Sequence, residues 1–208
     1  GIFSMFGGSF SLKWRFAFGE IYNEVAIIPP SQILKKIILY TATVESVTAV
    51  ILYSQFIKKY NITDSIWHSV FHSVSAFCNA GFSTFTDSLI SYQSNPVVIL
   101  SISFNIILGG IGFIVLTELV NFKILKKKKI FRQFSLHTKI VITTTIILII
   151  AGTLLFFLLE WGFIIKGNTL PEKILTSFFQ SVTCRTAGFN SVDIGSLRHS
   201  TLAVMMLL

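Results

Sequence analysis

A phrase of related residues occurs twice in this 208-residue chain. The first copy reads Phe71-His72-Ser73-Val74-Ser75-Ala76-Phe77-Cys78-Asn79-Ala80-Gly81-Phe82. The second reads Phe179-Gln180-Ser181-Val182-Thr183-Cys184-Arg185-Thr186-Ala187-Gly188-Phe189, one residue shorter near the place of Ala76. No nucleophile–base pair, metal-ligand cluster or phosphate loop accompanies either copy, so enzyme chemistry is a poor fit. The chemistry these residues suit is coordination. A monovalent cation that sheds its water needs oxygen ligands, and main-chain carbonyls can supply them. Carbonyls turn inward where the backbone takes angles that a Cβ resists, and Gly81 and Gly188 adopt such angles cheaply. A short helix ahead of each glycine would aim its partially negative C-terminus at the same point, favouring a cation over an anion. The alternative for the two glycines is that they are plain helix C-caps.

The surrounding elements must carry these loops into a bilayer. Hydrophobic residues make up 52% of the chain and charged residues 12%, with a mean hydropathy of +0.74. Soluble domains carry roughly twice that charged fraction, and the apolar runs here are too long for a globular core. The net charge of +8 comes from basic residues clustered between apolar runs. That is a topology signal rather than a nucleic-acid footprint. The fold class expected is all-α integral membrane, potassium-channel-like, built from repeated units of membrane helix, pore helix, filter loop and membrane helix. Residues 1–32 read as the end of a preceding span and a cytoplasmic linker, with Gly7-Gly8 and Pro29-Pro30 as breakers. Residues 33–120 form a first membrane–pore–membrane repeat, 121–138 a basic cytoplasmic loop, and 139–208 a second repeat that is cut off in its last span.

Within the first repeat the spans are expected near Ile33–Ile57 and Pro96–Val120. The short helix is expected near Asp64–Phe77, capped by Thr63 or Asp64, and is too short to cross a hydrocarbon core of about 30 Å. The loop Asn121–Lys139 contains Lys123, Lys126, Lys127, Lys128, Lys129, Arg132 and Lys139 and no acid, which places it in the cytoplasm. The third span is expected near Lys139–Ile165. The second short helix opens with Thr169-Leu170-Pro171-Glu172, a capping box with Pro in the first turn. The fourth span begins near Ser200. Both short helices then enter from the side opposite the Lys-rich loop, as parallel repeats about an axis normal to the membrane require. With Gly1 in place of Met, and an apolar run still in progress at Leu208, the chain is expected to be an internal segment of a longer protein.

Ser73–Phe82 and Ser181–Asp193 resemble the second and third pore loops of the Trk/Ktr/HKT potassium uptake family. Gly109-Gly110-Ile111-Gly112-Phe113 and Ser135-Leu136-His137-Thr138-Lys139 are also similar to that family, and the resemblance covers nearly the whole chain. It implies four membrane–pore–membrane units around a central potassium pathway, sometimes with sodium, with no covalent cofactor. It also implies a homodimer in lipid and, in bacteria, a cytoplasmic nucleotide-binding regulatory subunit. By that resemblance the filter glycines are Gly81 and Gly188, and Asn79, Ala80, Phe82, Thr186, Ala187 and Phe189 are filter-loop positions. The competing functional reading is a secondary transporter with re-entrant loops for another substrate, which would present helix N-termini at its site.

Several residues carry two readings each. Glu45, at mid-span, could bind an ion or hydrogen-bond a neighbouring helix. Arg185 could tune the field beside the second loop or serve structurally, bonded to carbonyls or a carboxylate. His68 and His72 lie one turn apart but lack a third metal ligand. Lys126–Lys129 could dock anionic lipid or a regulator besides setting topology. Asn105 and the glycine cluster are expected to serve helix packing. Cys78 and Cys184 are expected to be free thiols packed behind the loops.

Overall fold

The computed structural model describes residues 30–121 and 134–208, and these are helical with connecting turns and no strand. The expected leading span and linker, and the basic residues from Lys123 to Arg132, lie outside the described residues. Two compact units are present, residues 1–43 and 44–208. The described part of the first is the opening of helix α1 (Pro30–Phe56), where the Thr43 hydroxyl bonds back to the Leu39 carbonyl at 2.7 Å.

The second unit holds the remainder of α1 and six further helices among the described residues. Helix α2 (Ile62–Phe77) starts at Asn61, whose side chain accepts from the Asp64 amide at 2.8 Å. Asn61 takes the cap expected of Thr63 or Asp64 because its short carboxamide reaches the open amide three residues on. Helix α3 (Pro96–Gly110) is capped by Asn95, which accepts from the Val97 and Val98 amides. Pro96 sits in the first turn, where its missing N–H costs nothing.

The expected span Pro96–Val120 is not one straight helix. It breaks after Gly110, and α4 (Phe113–Asn121) departs at 104°. The glycine cluster splits its duties. A Cβ on Gly109 would collide with the Phe77 carbonyl, so this glycine does the packing that was expected. Gly112, at φ +84°, supplies the left-handed residue on which the chain turns.

Helix α5 (Leu136–Glu160) is capped by Ser135. Helix α6 (Leu170–Thr183) follows, with the Glu172 carboxylate accepting from both the amide and the hydroxyl of Thr169 at 2.8 Å. The amide is the larger of those two influences, and with the Ser94 hydroxyl they hold Glu172 below the usual carboxylate range. Helix α7 (His199–Leu207) closes the described chain. Two stretches, Leu34–Phe56 and Leu136–Glu160, are long and apolar enough to cross a membrane, and α3 with α4 makes a third if the bent pair counts as one span.

The short helices bury many polar side chains, although α6 also buries Phe179 and Val182. In α2 the buried face carries Ser65, Ser69, His72, Ser73 and Ser75, while Ile62, Ile66, Val70 and Val74 are exposed. In α6 Thr176, Ser177, Gln180, Ser181 and Thr183 are buried, while Leu170 and Ile174 are exposed. Lipid solvates apolar side chains and cannot satisfy hydroxyls, so polar groups turn inward to find partners. One apolar cluster joins the two repeats: Leu52, Phe56, Ile99 and Ile102 from the first meet Phe179, Val182 and Phe189 from the second.

The alanine substitution at Gly109 therefore has a defined expectation. Gly109→Ala should destabilise the protein by about 1–3 kcal/mol through overpacking against the α2 backbone. Gly162→Ala, at a glycine with open space around it, should stay within about 0.5 kcal/mol of the parent. Thermal unfolding of both variants in detergent checks the difference.

Candidate functional site

Helix α2 ends at Phe77 and α6 at Thr183, and the two loops leave them in the same way. The Ala80 amide reaches back to the Ser75 carbonyl at 2.9 Å, and the Ala187 amide to the Thr183 carbonyl at 3.0 Å. Asn79 has φ +51° and Gly81 +69°; Thr186 has φ +72° and Gly188 +80°. The residues between and after them are not left-handed, so the hand of the backbone alternates residue by residue through both loops. Asn is among the residues that tolerate this region; a β-branched Thr is not, so Thr186 is held there by its surroundings.

Matching hydroxyls pin the far ends. Ser75 Oγ donates to the Phe82 carbonyl, and Thr183 Oγ1 donates to the Phe189 carbonyl, both at 2.8 Å. These two residues hold equivalent places in the repeat. The two short helices are anchored equivalently as well. Ser73 Oγ donates to the Glu45 carbonyl of α1 at 2.7 Å, and Ser181 Oγ donates to the Ile149 carbonyl of α5 at 2.9 Å. Glu45 thus engages α2 through its backbone. Asn105 of α3 donates to the Ser73 carbonyl at 2.7 Å, which ties α3 to α2.

The two loops touch each other. A Cβ built on Gly81 would overlap the Ala187 carbonyl oxygen and lie 2.8 Å from both Cα and C of Gly188. A Cβ on Gly188 would meet Gly81 Cα at 3.6 Å, an ordinary contact. The segments that follow are also joined across the repeats. The Leu89 amide donates to the Asn190 carbonyl at 2.8 Å, and the Asn190 amide donates to Ser88 Oγ at 3.1 Å.

Individual side chains sort as follows. Asn79 turns its amide into the protein, where nitrogen donates to the Ile106 and Ala76 carbonyls once the amide is oriented to satisfy both. The Thr186 hydroxyl donates to the Arg185 carbonyl at 2.5 Å. Ala80, Phe82, Thr186 and Gly188 are exposed, Asn79 and Gly81 half-buried, and Ala187 and Phe189 buried. His72 is buried, with Nδ1 2.7 Å from the His68 carbonyl. A carbonyl only accepts, so Nδ1 carries the proton and bare Nε2 accepts from Ser83 Oγ at 2.9 Å. His72 therefore braces the segment after the first loop, and no group of three metal-ligating side chains occurs among the described residues. Cys78 is exposed rather than packed behind its loop, Cys184 is half-buried, and both are free thiols. Arg185 donates to Thr145 Oγ1 of α5 at 3.1 Å, and its partner is a hydroxyl, not a carboxylate.

Sequence reasoning passed over the hydroxyl pins Ser75 and Thr183 and the anchors Ser73 and Ser181. Their recurrence at matching places in the repeat was the available signal. It also passed over two carboxylates that cap helices from outside. Glu118 accepts from the Ser135 amide and from the hydroxyls of Ser135 and Thr138 at the start of α5. Glu160 accepts from the Arg198 amide and the Thr201 hydroxyl at the start of α7. In each case the carboxylate meets the N-cap amide and the hydroxyl of a threonine three residues on, where a helix end welcomes negative charge.

The sequence matches the TrkH cation transport protein family over residues 24–208. It is 38% identical to the Ktr system potassium uptake protein B of Bacillus subtilis over 212 residues, covering all of this chain and 46% of that protein. It is 34% identical to the potassium/sodium uptake protein NtpJ of Enterococcus hirae, covering 95% of this chain and 43% of that one. Identity to the Ktr system potassium uptake protein B of Vibrio alginolyticus is 32%, over 98% of this chain and 44% of the other. The chain belongs to the TrkH cation transport protein family, a family of transporters rather than enzymes. It spans just under half the length of these relatives.

The two glycines differ in what a methyl group would meet. Gly81→Ala combines left-handed strain of about 1–2 kcal/mol with a collision against main-chain atoms of the second loop. Gly188→Ala carries the strain alone. Gly81→Ala should therefore lower the unfolding temperature further than Gly188→Ala, as read from thermal unfolding of the two purified variants.

Proposed function

We propose that this chain forms part of a transmembrane potassium uptake pathway in which Asn79–Phe82 and Thr186–Phe189 are two filter loops. The transported cation is held by their main-chain oxygens, with Gly81 and Gly188 as the pivotal residues. The observation that carries this reading is the alternating hand of both loops where they meet. In an extended chain successive carbonyls point to opposite sides. Reversing φ at every second residue turns the alternate peptides, so that successive carbonyls share a side. Such a row suits a dehydrated cation, and the C-terminal ends of α2 and α6 add a favourable field.

Two loops supply half of a fourfold ring, and the packing supports further units of the same kind. Val182 of α6 is 1% exposed where that helix packs beside α3, whereas its counterpart Val74 of α2 is 41% exposed. A second helix from another such unit, set beside α2 as α3 is set beside α6, would bury it. On this reading the repeats are residues 33–120 and 139–208, the basic stretch 121–138 faces the cytoplasm, and the protein works as a homodimer with a cytoplasmic nucleotide-binding regulator. Potassium is the preferred cargo because relatives from two bacteria are named for its uptake, and the potassium/sodium name of a third keeps sodium in view as a second cargo.

Each loop has one glycine and not the two of a dedicated potassium-channel filter, so fewer ordered carbonyl layers form and sodium discrimination depends on each of them. In the full-length protein, expressed in cells lacking other potassium uptake, Gly81→Ala and Gly188→Ala should each lower rubidium uptake at least about tenfold, equivalent to roughly 1.4 kcal/mol, or admit sodium in competition. Uptake and sodium exclusion equal to the parent in both variants would overturn the proposal.

A further inference from the structure

We infer that Arg185 is a specificity-determining residue: its guanidinium, tethered beside the second loop by Thr145, opposes the negative end of α6 and makes that loop a weaker cation site than the first. The inference rests on the filter reading above and adds an electrostatic inequality between two loops whose backbones are alike.

Arg185 is the second residue beyond α6 and the last before Thr186. Its amide still bonds to the Val182 carbonyl at 3.2 Å, and its own carbonyl accepts from Thr186. The residue thus leaves α6 where that helix presents its partial negative charge, about half an elementary charge in size, with its guanidinium held on Thr145 of α5. A full positive charge on this residue opposes it. The first copy has Cys78 at this place, so α2 keeps its negative end. Among the described residues no carboxylate pairs with Arg185. Its polar partner is the neutral Thr145 hydroxyl at 3.1 Å. A guanidinium has five donor hydrogens, and Arg185 also lines a cavity of about 340 Å³ together with Gly110, Leu148 and Thr186. Among the described residues its charge is therefore not neutralised by a carboxylate, and it acts on the adjacent loop through a medium that screens less than water.

For a pathway this has a use. Conduction needs binding strong enough to strip water and weak enough to release the ion. A positive charge beside one of two facing loops shortens the dwell there while the other loop keeps its grip.

The test is the kinetics of rubidium uptake by the full-length protein, with rates normalised to protein in the membrane. Arg185→Gln keeps an amide able to reach Thr145 but removes the charge. It should lower KM by roughly three- to tenfold, the range one removed like charge gives at protein-interior screening, and lower the maximal rate with it. Arg185→Lys keeps the charge and should leave KM near the parent value. Arg185→Cys, which installs the residue found in the first copy, should reproduce the fall in KM if the glutamine variant fails to reach the membrane. A merely structural arginine would instead lower the rate with KM unchanged or raised in the neutral variants, and that result would overturn the inference. If Gly81→Ala and Gly188→Ala abolish uptake while the neutral variants keep the parent KM, this inference alone falls. If the glycine variants transport like the parent, the filter reading falls first.

Discussion

The contact between Gly81 and Gly188 is the constraint on which the arrangement depends. Two left-handed glycines from distant parts of the chain lie main chain against main chain, close enough that one of them has no room for a methyl group. Such an approach holds the two loops at a common place. It also requires each loop to be shaped before it meets the other, because an unshaped loop would present side chains instead. The hydroxyl pins from Ser75 and Thr183 do that shaping locally, and the links between Ser88–Leu89 and Asn190 hold the following segments in step. Helices α2 and α6, the helices behind them and the shared apolar cluster form the frame that keeps this contact in register.

That frame is held by polar contacts to a greater degree than a soluble fold of the same size. Association of helices in lipid gains little from burying apolar surface, so it relies on close packing and hydrogen bonds between helices. Ser73, Ser181 and Asn105 each bond across to a backbone carbonyl of a neighbouring helix. A net contribution of roughly 0.5–1.5 kcal/mol for each such bond is small, but the two short helices carry several, and their exposed apolar side chains are left for lipid or for further protein. The carboxylates of Glu118 and Glu160 extend the same principle to helix ends. Glu118 of α4 answers the start of α5, and Glu160 at the end of α5 answers the start of α7.

The sequence by itself determined the helical class, the two short helices and the two glycine loops. Those follow from local chemistry: apolar runs of span length, a capping box at Thr169, and an internal repeat that places Gly81 and Gly188 alike. It misjudged what depends on partners. Asn61 rather than Thr63 or Asp64 caps α2, and the span expected from Pro96 to Val120 turns by 104° at Gly112, because one glycine must pack against Phe77 while another takes a left-handed angle. The half-burial of Arg185 against Thr145, the tautomer of His72 and the carboxylate caps rest on residues 4 to 41 positions apart. No window on the chain brings most of those atoms together. Local pattern sets which elements form, since each residue's own torsions and nearest neighbours govern it; only packing sets which polar group answers which, since a hydrogen bond exists when two atoms come within about 3 Å regardless of their distance along the chain.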